Sequence, residues 1–170
     1  VHQGISEIGI VYVALKQVQT FQHILTHKNL EFVPQDVKKI CVYVGPNHPL
    51  YHTESIDFED LSSLKFMRGV RDFFSMEHHL ERVSMGVIDN EKLHHVVYTN
   101  SDHLIIDLLL HSDVCSLGLD FMHEPYTQYA IKSLPINGCE PFLQMGYVFN
   151  PERALSAQAR WVVERFRKML

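Results

Sequence analysis

Two periodicities of apolar residues alternate along the chain. Residues 7–14, EIGIVYVA, form a short continuous run rich in β-branched side chains, which is typical of a strand covered on both faces. Residues 16–27 switch to the helical period, with an apolar face made of Val18, Phe21, Ile24 and Leu25. Residues 30–33 and 38–44 then predict two strands, separated by the breaker Pro34-Gln35-Asp36.

The alternation of strand and helix patterns continues through the rest of the chain. Further strands are predicted over residues 64–67, 93–99, 113–118, 130–136 and 141–150. Helices are predicted over residues 73–87, from Ser101 through the apolar run 104–110, and over residues 155–169, where Ser156 is a suitable N-cap. Only Asp107 interrupts the apolar run, so we expect that helix to be buried on more than one side. Together these patterns predict an α/β fold with a largely parallel sheet.

Composition and charge exclude several classes of function. Apolar side chains make up 46% of the 170 residues, which is enough for a substantial core. The formal charge of -5 and the lack of a block of Lys or Arg argue against nucleic-acid binding by this segment. We expect a cytoplasmic location, because no apolar run reaches the roughly 20 residues that span a bilayer and no signal-peptide pattern opens the sequence. Cys41, Cys115 and Cys139 are predicted to be reduced core residues.

Residues 44–61, VGPNHPLYHTESIDFEDL, combine His48 with several carboxylates. Taken alone, this composition fits either an acid/base site or a turn between two elements. Its motifs resemble those of one family, the effector-binding domain of LysR-type transcriptional regulators. The strand ending in VGPNHPL is followed by IDFEDL, which matches the family's I-x-F-E-D-L turn, and residues 4–10 match its early G-x-x-(D/E)-x-(G/A)-I strand. We therefore interpret the stretch as a structural signature of the fold.

The resemblance implies a type 2 periplasmic-binding-protein-like fold, in which two Rossmann-like α/β lobes are joined by two crossover strands. On this chain the crossovers would be residues 38–44 and 142–149. Lobe I would comprise residues 1–43 and 145–170, and lobe II residues 44–144. The sequence starts close to an internal strand of lobe I. We therefore expect an N-terminally truncated domain with an incomplete lobe I, which lacks the family's helix-turn-helix.

Candidate ligand residues lie where predicted strands end. Four polar residues occupy a strand-to-helix switch: Thr99, Asn100, Ser101 and Asp102. In open α/β sheets ligands sit beyond the carboxyl ends of strands, and a helix N-terminus attracts anions. A plain N-cap by Ser101 explains the same residues without a ligand, so both interpretations stay open.

A second group, Met67-Arg68-Gly69, follows the first strand of lobe II, where Arg68 can pair with a carboxylate through two parallel bonds. A solvated surface arginine is the alternative. The resemblance places Tyr12 where the family presents a side chain into the cleft from lobe I, although core packing explains this tyrosine equally well. Leu117-Gly118 ends another strand, where glycine lets the backbone approach a ligand or simply makes a turn.

Patterns of metal and catalytic sites are missing from the sequence. The twelve histidines include the adjacent pairs 78–79 and 94–95, but adjacent residues point to different faces, and no H-E-x-x-H motif occurs. Ser101, Asp102 and His103 are neighbours in sequence, whereas the fold brings the members of a catalytic triad together from separate positions. We expect no metal site, no cofactor and no enzyme activity.

The predicted function is that of the ligand-sensing and oligomerisation domain of a LysR-type regulator. Such a domain would bind a small effector between its lobes, here a carboxylate or another anion, and would form a homodimer or tetramer. DNA would be bound only through the missing helix-turn-helix. The alternative is a solute-binding protein of the same fold that serves transport and carries a signal peptide or lipid anchor. An enzyme on this fold is a third interpretation, but it would need paired catalytic groups across the cleft.

Overall fold

A computed structural model of the chain describes residues 1–69, 76–88, 93–120 and 129–168. The chain divides into two compact units: Val1–Lys38 with Pro141–Leu170, and Lys39–Glu140. It passes from one unit to the other after Lys38 and returns after Glu140. The lobe boundaries expected from the resemblance, at residues 43/44 and 144/145, stay a prediction.

Helices and strands alternate as the sequence patterns indicate. The first unit contains β1 (Ile8–Ala14), a short 3-10 helix (Leu15–Gln17), α1 (Val18–Thr26), β2 (Glu31–Lys38), β8 (Leu143–Phe149) and α5 (Ala157–Lys168). The second unit contains β3 (Ile40–Val44), α2 (Phe58–Leu61), β4 (Lys65–Gly69), α3 (Met76–Val83), β5 (His94–Thr99), α4 (Asp102–His111), β6 (Cys115–Leu119) and β7 (Lys132–Pro135). Of the residues used in the predictions, Phe73, Met169 and most of the expected irregular segment 119–129 lie outside the described residues.

The sheet of the first unit has the strand order β1-β8-β2, and both of its pairings are antiparallel. The prediction of a largely parallel sheet is therefore wrong for this unit, because β8 returns from the far end of the chain and runs between β1 and β2. Pro34-Gln35-Asp36 does not separate two strands either. It lies inside β2, where the register shifts between Pro34 and Asp36, and an edge strand tolerates proline at such a bulge.

Apolar side chains of the first unit pack between α1 and the sheet. Leu25, Phe32 and Val148 form a buried cluster there, and the ring of Phe21 meets Phe32 edge to face with 5.5 Å between the ring centroids. The expectation that β1 is covered on both faces is wrong. Val11 packs against the cluster beneath α1, whereas Ile10, on the opposite face of β1, stays 46% exposed.

The sheet of the second unit has the order β5-β4-β6-β3-β7. Strand β4 runs parallel to β5 and to β6, whereas β3 runs antiparallel to β6 and β7. All five residues of β3 are buried. Helix α4 buries one face against this sheet: Leu109 is buried, whereas Leu104 is 41% exposed. The expectation that this helix is buried on more than one side is therefore wrong.

The stretch with His48 and the carboxylates is held by its own hydrogen bonds. The backbone N–H of Asp57 donates to Oδ2 of Asp60 at 2.9 Å, and the side-chain amide of Asn137 donates to Oδ1 of Asp57 at 2.9 Å. The backbone N–H of Leu50 donates to Nδ1 of His48 at 3.1 Å, and the His48 ring is buried. These groups fix the path of the chain into α2, as a structural signature requires.

Gly45, the residue after β3, lies in close contact with α4. A Cβ at this position would lie 1.6 Å from the carbonyl oxygen of Leu109. Backbone atoms cannot yield by that amount, so we expect Gly45→Ala to lower the free energy of unfolding by about 3 kcal/mol or more, measured by urea denaturation. The control is Gly9→Ala in β1, whose Cβ would meet only the Val1 side chain at 3.4 Å. Equal stability of the two variants would contradict this packing.

Burial lowers the pKa of His48, and the bond from Leu50 needs an unprotonated Nδ1. As the pH falls through 6.5, the ordinary value, the unfolded chain takes up this proton before the folded chain does, so folding loses stability. We expect His48→Gln to lose less stability than the wild type between pH 8 and pH 5.5 in urea titrations. The control variant His103→Gln removes an exposed ring of α4, so its loss of stability should equal that of the wild type. If the stability of His48→Gln falls with pH as steeply as that of the wild type, His48 is not the group responsible.

Candidate ligand-binding site

The carboxyl ends of three parallel strands lie side by side in the second unit. Arg68 is opposite Tyr98 in β5, and Gly69 is opposite Thr99. On the other side of β4, Met67 is opposite Ser116 in β6, so the residues that follow Ser116 run alongside the end of β4. The structure therefore brings together nine of the predicted site residues at one edge of one sheet: Met67, Arg68, Gly69, Thr99, Asn100, Ser101, Asp102, Leu117 and Gly118.

The loop between β5 and α4 forms an N-cap. Oγ of Ser101 accepts a hydrogen bond from the backbone N–H of Leu104 at 3.3 Å, and the buried Thr99 accepts one from the N–H of Ser101 through Oγ1 at 3.0 Å. Asn100 and Asp102 are exposed. The cap is thus real, but it satisfies only part of the first turn, whose other N–H groups need solvent or a ligand. The negative charge of Asp102 repels an anion here. A cation from another element therefore has to contribute to anion binding.

Arg68 is the cation at the end of β4. Its Nη1 lies 3.1 Å from Oε2 of Glu77 in α3, and the two side chains are 35% and 10% exposed. The guanidinium is therefore half-buried in an ion pair, in contrast to the solvated surface arginine considered as an alternative. A ligand carboxylate at this position has to share the guanidinium with Glu77 or displace it.

Met67 and Gly118 have structural roles that the sequence did not indicate. The Met67 side chain belongs to the buried cluster that also contains Tyr43 and Leu109, so only its backbone can face a ligand. A Cβ on Gly118 would lie 2.3 Å from the Tyr43 ring, whose hydroxyl donates to the carbonyl of Leu119 at 2.6 Å. Gly118 is therefore a strand residue that makes room for a tyrosine, and the interpretation as a turn glycine is wrong.

Tyr12 belongs to the first unit, in β1, where it is opposite Met145 of β8. Its side chain is 36% exposed, and partial burial raises the pKa of its phenol. A tyrosine can pack against a ligand with its ring and hydrogen-bond to it with its hydroxyl. Its place in a ligand site stays a prediction.

The three cysteines have a structural role. Cys41, Cys115 and Cys139 are free and buried, which confirms the prediction of reduced core thiols, and burial raises the pKa of Cys41 to about 12. No group of three or more His, Cys, Asp or Glu residues in the described part of the chain could hold a metal ion. The sequence interpretation missed one pair, however: Nε2 of His23 lies 3.1 Å from Nε2 of His27. Their i,i+4 spacing in a predicted helix was the available signal.

Comparison with known families supports a regulatory domain. The family model described as LysR substrate binding domain matches residues 18–170. The chain therefore belongs to this family, and it is the effector-binding domain of a LysR-type regulator. None of the curated proteins compared with the chain is similar enough in sequence to match. Among the described residues, no helix is long and apolar enough to cross a membrane.

Solved structures of LysR-family regulators share the fold. The effector binding domain of QuiR in complex with shikimate is 17% identical with a TM-score of 0.59, over 95% of this chain and 72% of that one. The CcmR regulatory domain of Synechocystis PCC6803 in complex with 2-PG is 13% identical with a TM-score of 0.61, over 98% and 74%. HinK of Pseudomonas aeruginosa is 11% identical with a TM-score of 0.64, over 99% and 54%. These matches establish the type 2 periplasmic-binding-protein-like fold.

Proposed function

We propose that this domain senses a small organic anion, most simply a hydroxylated carboxylate, at the carboxyl ends of β4, β5 and β6. One observation carries the proposal: Arg68 lies at the carboxyl end of β4, and α4 begins after the carboxyl end of the neighbouring parallel strand β5, since Gly69 and Thr99 are opposite each other. Both groups attract negative charge. The hydroxyls of Thr99 and Ser101 and the amide of Asn100 offer hydrogen-bond partners to the polar groups of such a ligand.

The ligand of one protein with the same fold agrees with this class of effector. Shikimate, bound by QuiR, is a carboxylate with several hydroxyl groups. Tyr12 of the first unit stays a further candidate ligand contact in our proposal. The effector would shift the domain toward the conformation that it binds more tightly, and only by that difference in affinity.

In the intact regulator, this shift would change how a homodimer or tetramer presents its DNA-binding segments in the cytoplasm. DNA contact would be made outside the present residues, which agrees with the net charge of -5. We propose no enzyme activity and no cofactor. The transport alternative is not favoured, because the family match is to a regulator domain.

Thermal unfolding with a panel of small carboxylates that includes shikimate, each beside its neutral methyl ester, tests the proposal. We expect at least one acid to raise the melting temperature while its ester does not. Arg68→Ala should then weaken binding of that acid about tenfold, because a charge-assisted bond is lost, as measured by isothermal titration calorimetry.

The matched control for Arg68→Ala is Lys65→Ala, which removes another cation and ion pair, with Asp113 at 2.6 Å, from the opposite end of β4. Its affinity for the acid should equal that of the wild type. Glu77→Gln keeps the guanidinium and removes its competitor, so it should bind the acid at least as tightly. Stabilisation by esters as well as acids, or equal losses in the Arg68 and Lys65 variants, would contradict an anion site at Arg68.

A further inference from the structure

Two exposed histidines lie one turn apart at the end of α1 in the first unit: His23 within the helix and His27 as its C-cap residue. Their Nε2 atoms are 3.1 Å apart, their ring centroids are 4.6 Å apart, and the ring planes stand at 89°. In this arrangement the Nε2–H of one ring donates to the Nε2 lone pair of the other. The two Nε2 atoms therefore face the same point at the surface of the helix.

The end of α1 holds this pair in place. The backbone N–H of His27 donates to the carbonyl of His23 at 3.4 Å, which keeps the two residues in helical register. The N–H groups of Lys28 and Leu30 both donate to the carbonyl of Leu25, at 2.9 and 3.0 Å, and Leu25 is buried against the sheet. The backbone beneath the two rings is thus fixed before any ligand arrives, which reduces the entropy lost on binding.

The geometry points to a bidentate metal site, and we propose that His23 and His27 chelate a divalent transition metal of the imidazole-preferring class, Zn²⁺, Ni²⁺ or Cu²⁺. Metal–nitrogen bonds of about 2.0–2.1 Å to two atoms this far apart subtend roughly 100° at the metal, between octahedral and tetrahedral angles. When the metal binds, the proton that one Nε2 donates to the other moves through solvent to Nδ1 of its own ring, so that both Nε2 lone pairs are available to the metal. The C-terminal end of a helix also favours positive charge.

The site supplies only two protein ligands to the metal, and this number determines how tightly the metal is held. Because the described residues offer no third ligand nearby, water completes the coordination sphere, and the metal exchanges readily with solvent. The site is separate from the proposed effector residues of the second unit. Metal binding would therefore stabilise the end of α1 without requiring an effector.

Titration calorimetry of NiCl₂ into the full 170-residue chain, without an affinity tag, tests the site. We expect one Ni²⁺ per chain at the tightest site and no binding of Mg²⁺, which prefers oxygen ligands. His23→Gln and His27→Gln should each weaken Ni²⁺ binding at least about tenfold, a loss typical of a damaged metal site. Both rings are exposed, so the folded state of each variant should be retained and can be verified by circular dichroism.

Two controls separate chelation from general attraction by a histidine-rich surface. His111→Gln removes another exposed helical histidine, which bonds to Asp107 instead, and should bind Ni²⁺ like the wild type. The double variant Gln22→His/His23→Gln keeps the composition but sets the two rings about 140° apart around the helix, so it should bind as weakly as His23→Gln. No Ni²⁺ binding by the wild type, or equal affinity in the wild type and the double variant, would overturn the proposal.

Discussion

Complete burial of β3 is the constraint on which the second unit depends. Its residues are at most 3% exposed, and it runs antiparallel between β6 and β7. Tyr43 fills the space that Gly118 leaves open, and Gly45 admits the backbone of α4 at Leu109. Strand β3 thereby fixes both β6 and α4, and with them the place where the N-terminus of α4 meets the end of β5.

In the proposed site, the ion pair between Arg68 and Glu77 would link this framework to ligand recognition. The buried carboxylate of Glu77 already pairs with the guanidinium, so it keeps Arg68 in a defined position and prevents an uncompensated charge while no ligand is bound. The same carboxylate would reduce the net binding free energy of a ligand at Arg68. The ligand would gain only the difference between its own contacts with the guanidinium and those of Glu77. In the proposed site, weak or wrongly shaped anions would therefore be rejected.

Local sequence patterns predicted the features that depend on neighbouring residues, namely secondary structure and helix caps. They did not predict the features that depend on distant residues, such as strand direction and side-chain partners. The strands, helices and N-caps at Ser101 and Ser156 follow from periodicity and capping chemistry, and both caps are present. Strand direction in the first unit depends on β8, more than 100 residues from β2, and could not be deduced from alternation. Likewise the clustering of the strand ends was predictable from the α/β order, but neither the Glu77 partner of Arg68 nor the Tyr43 ring over Gly118 has a signature in the sequence.

The central claim is that an anionic effector binds at the ends of β4 and β5. Backbone amide chemical shifts of the ¹⁵N-labelled chain, titrated with the carboxylate panel that includes shikimate, test it most directly. The account predicts that at least one acid causes saturable shifts at Gly69, Asn100 and Asp102, with no comparable shifts around His23 in α1. If every acid leaves these amides unchanged, or if the saturable shifts cluster elsewhere, the site is wrongly placed.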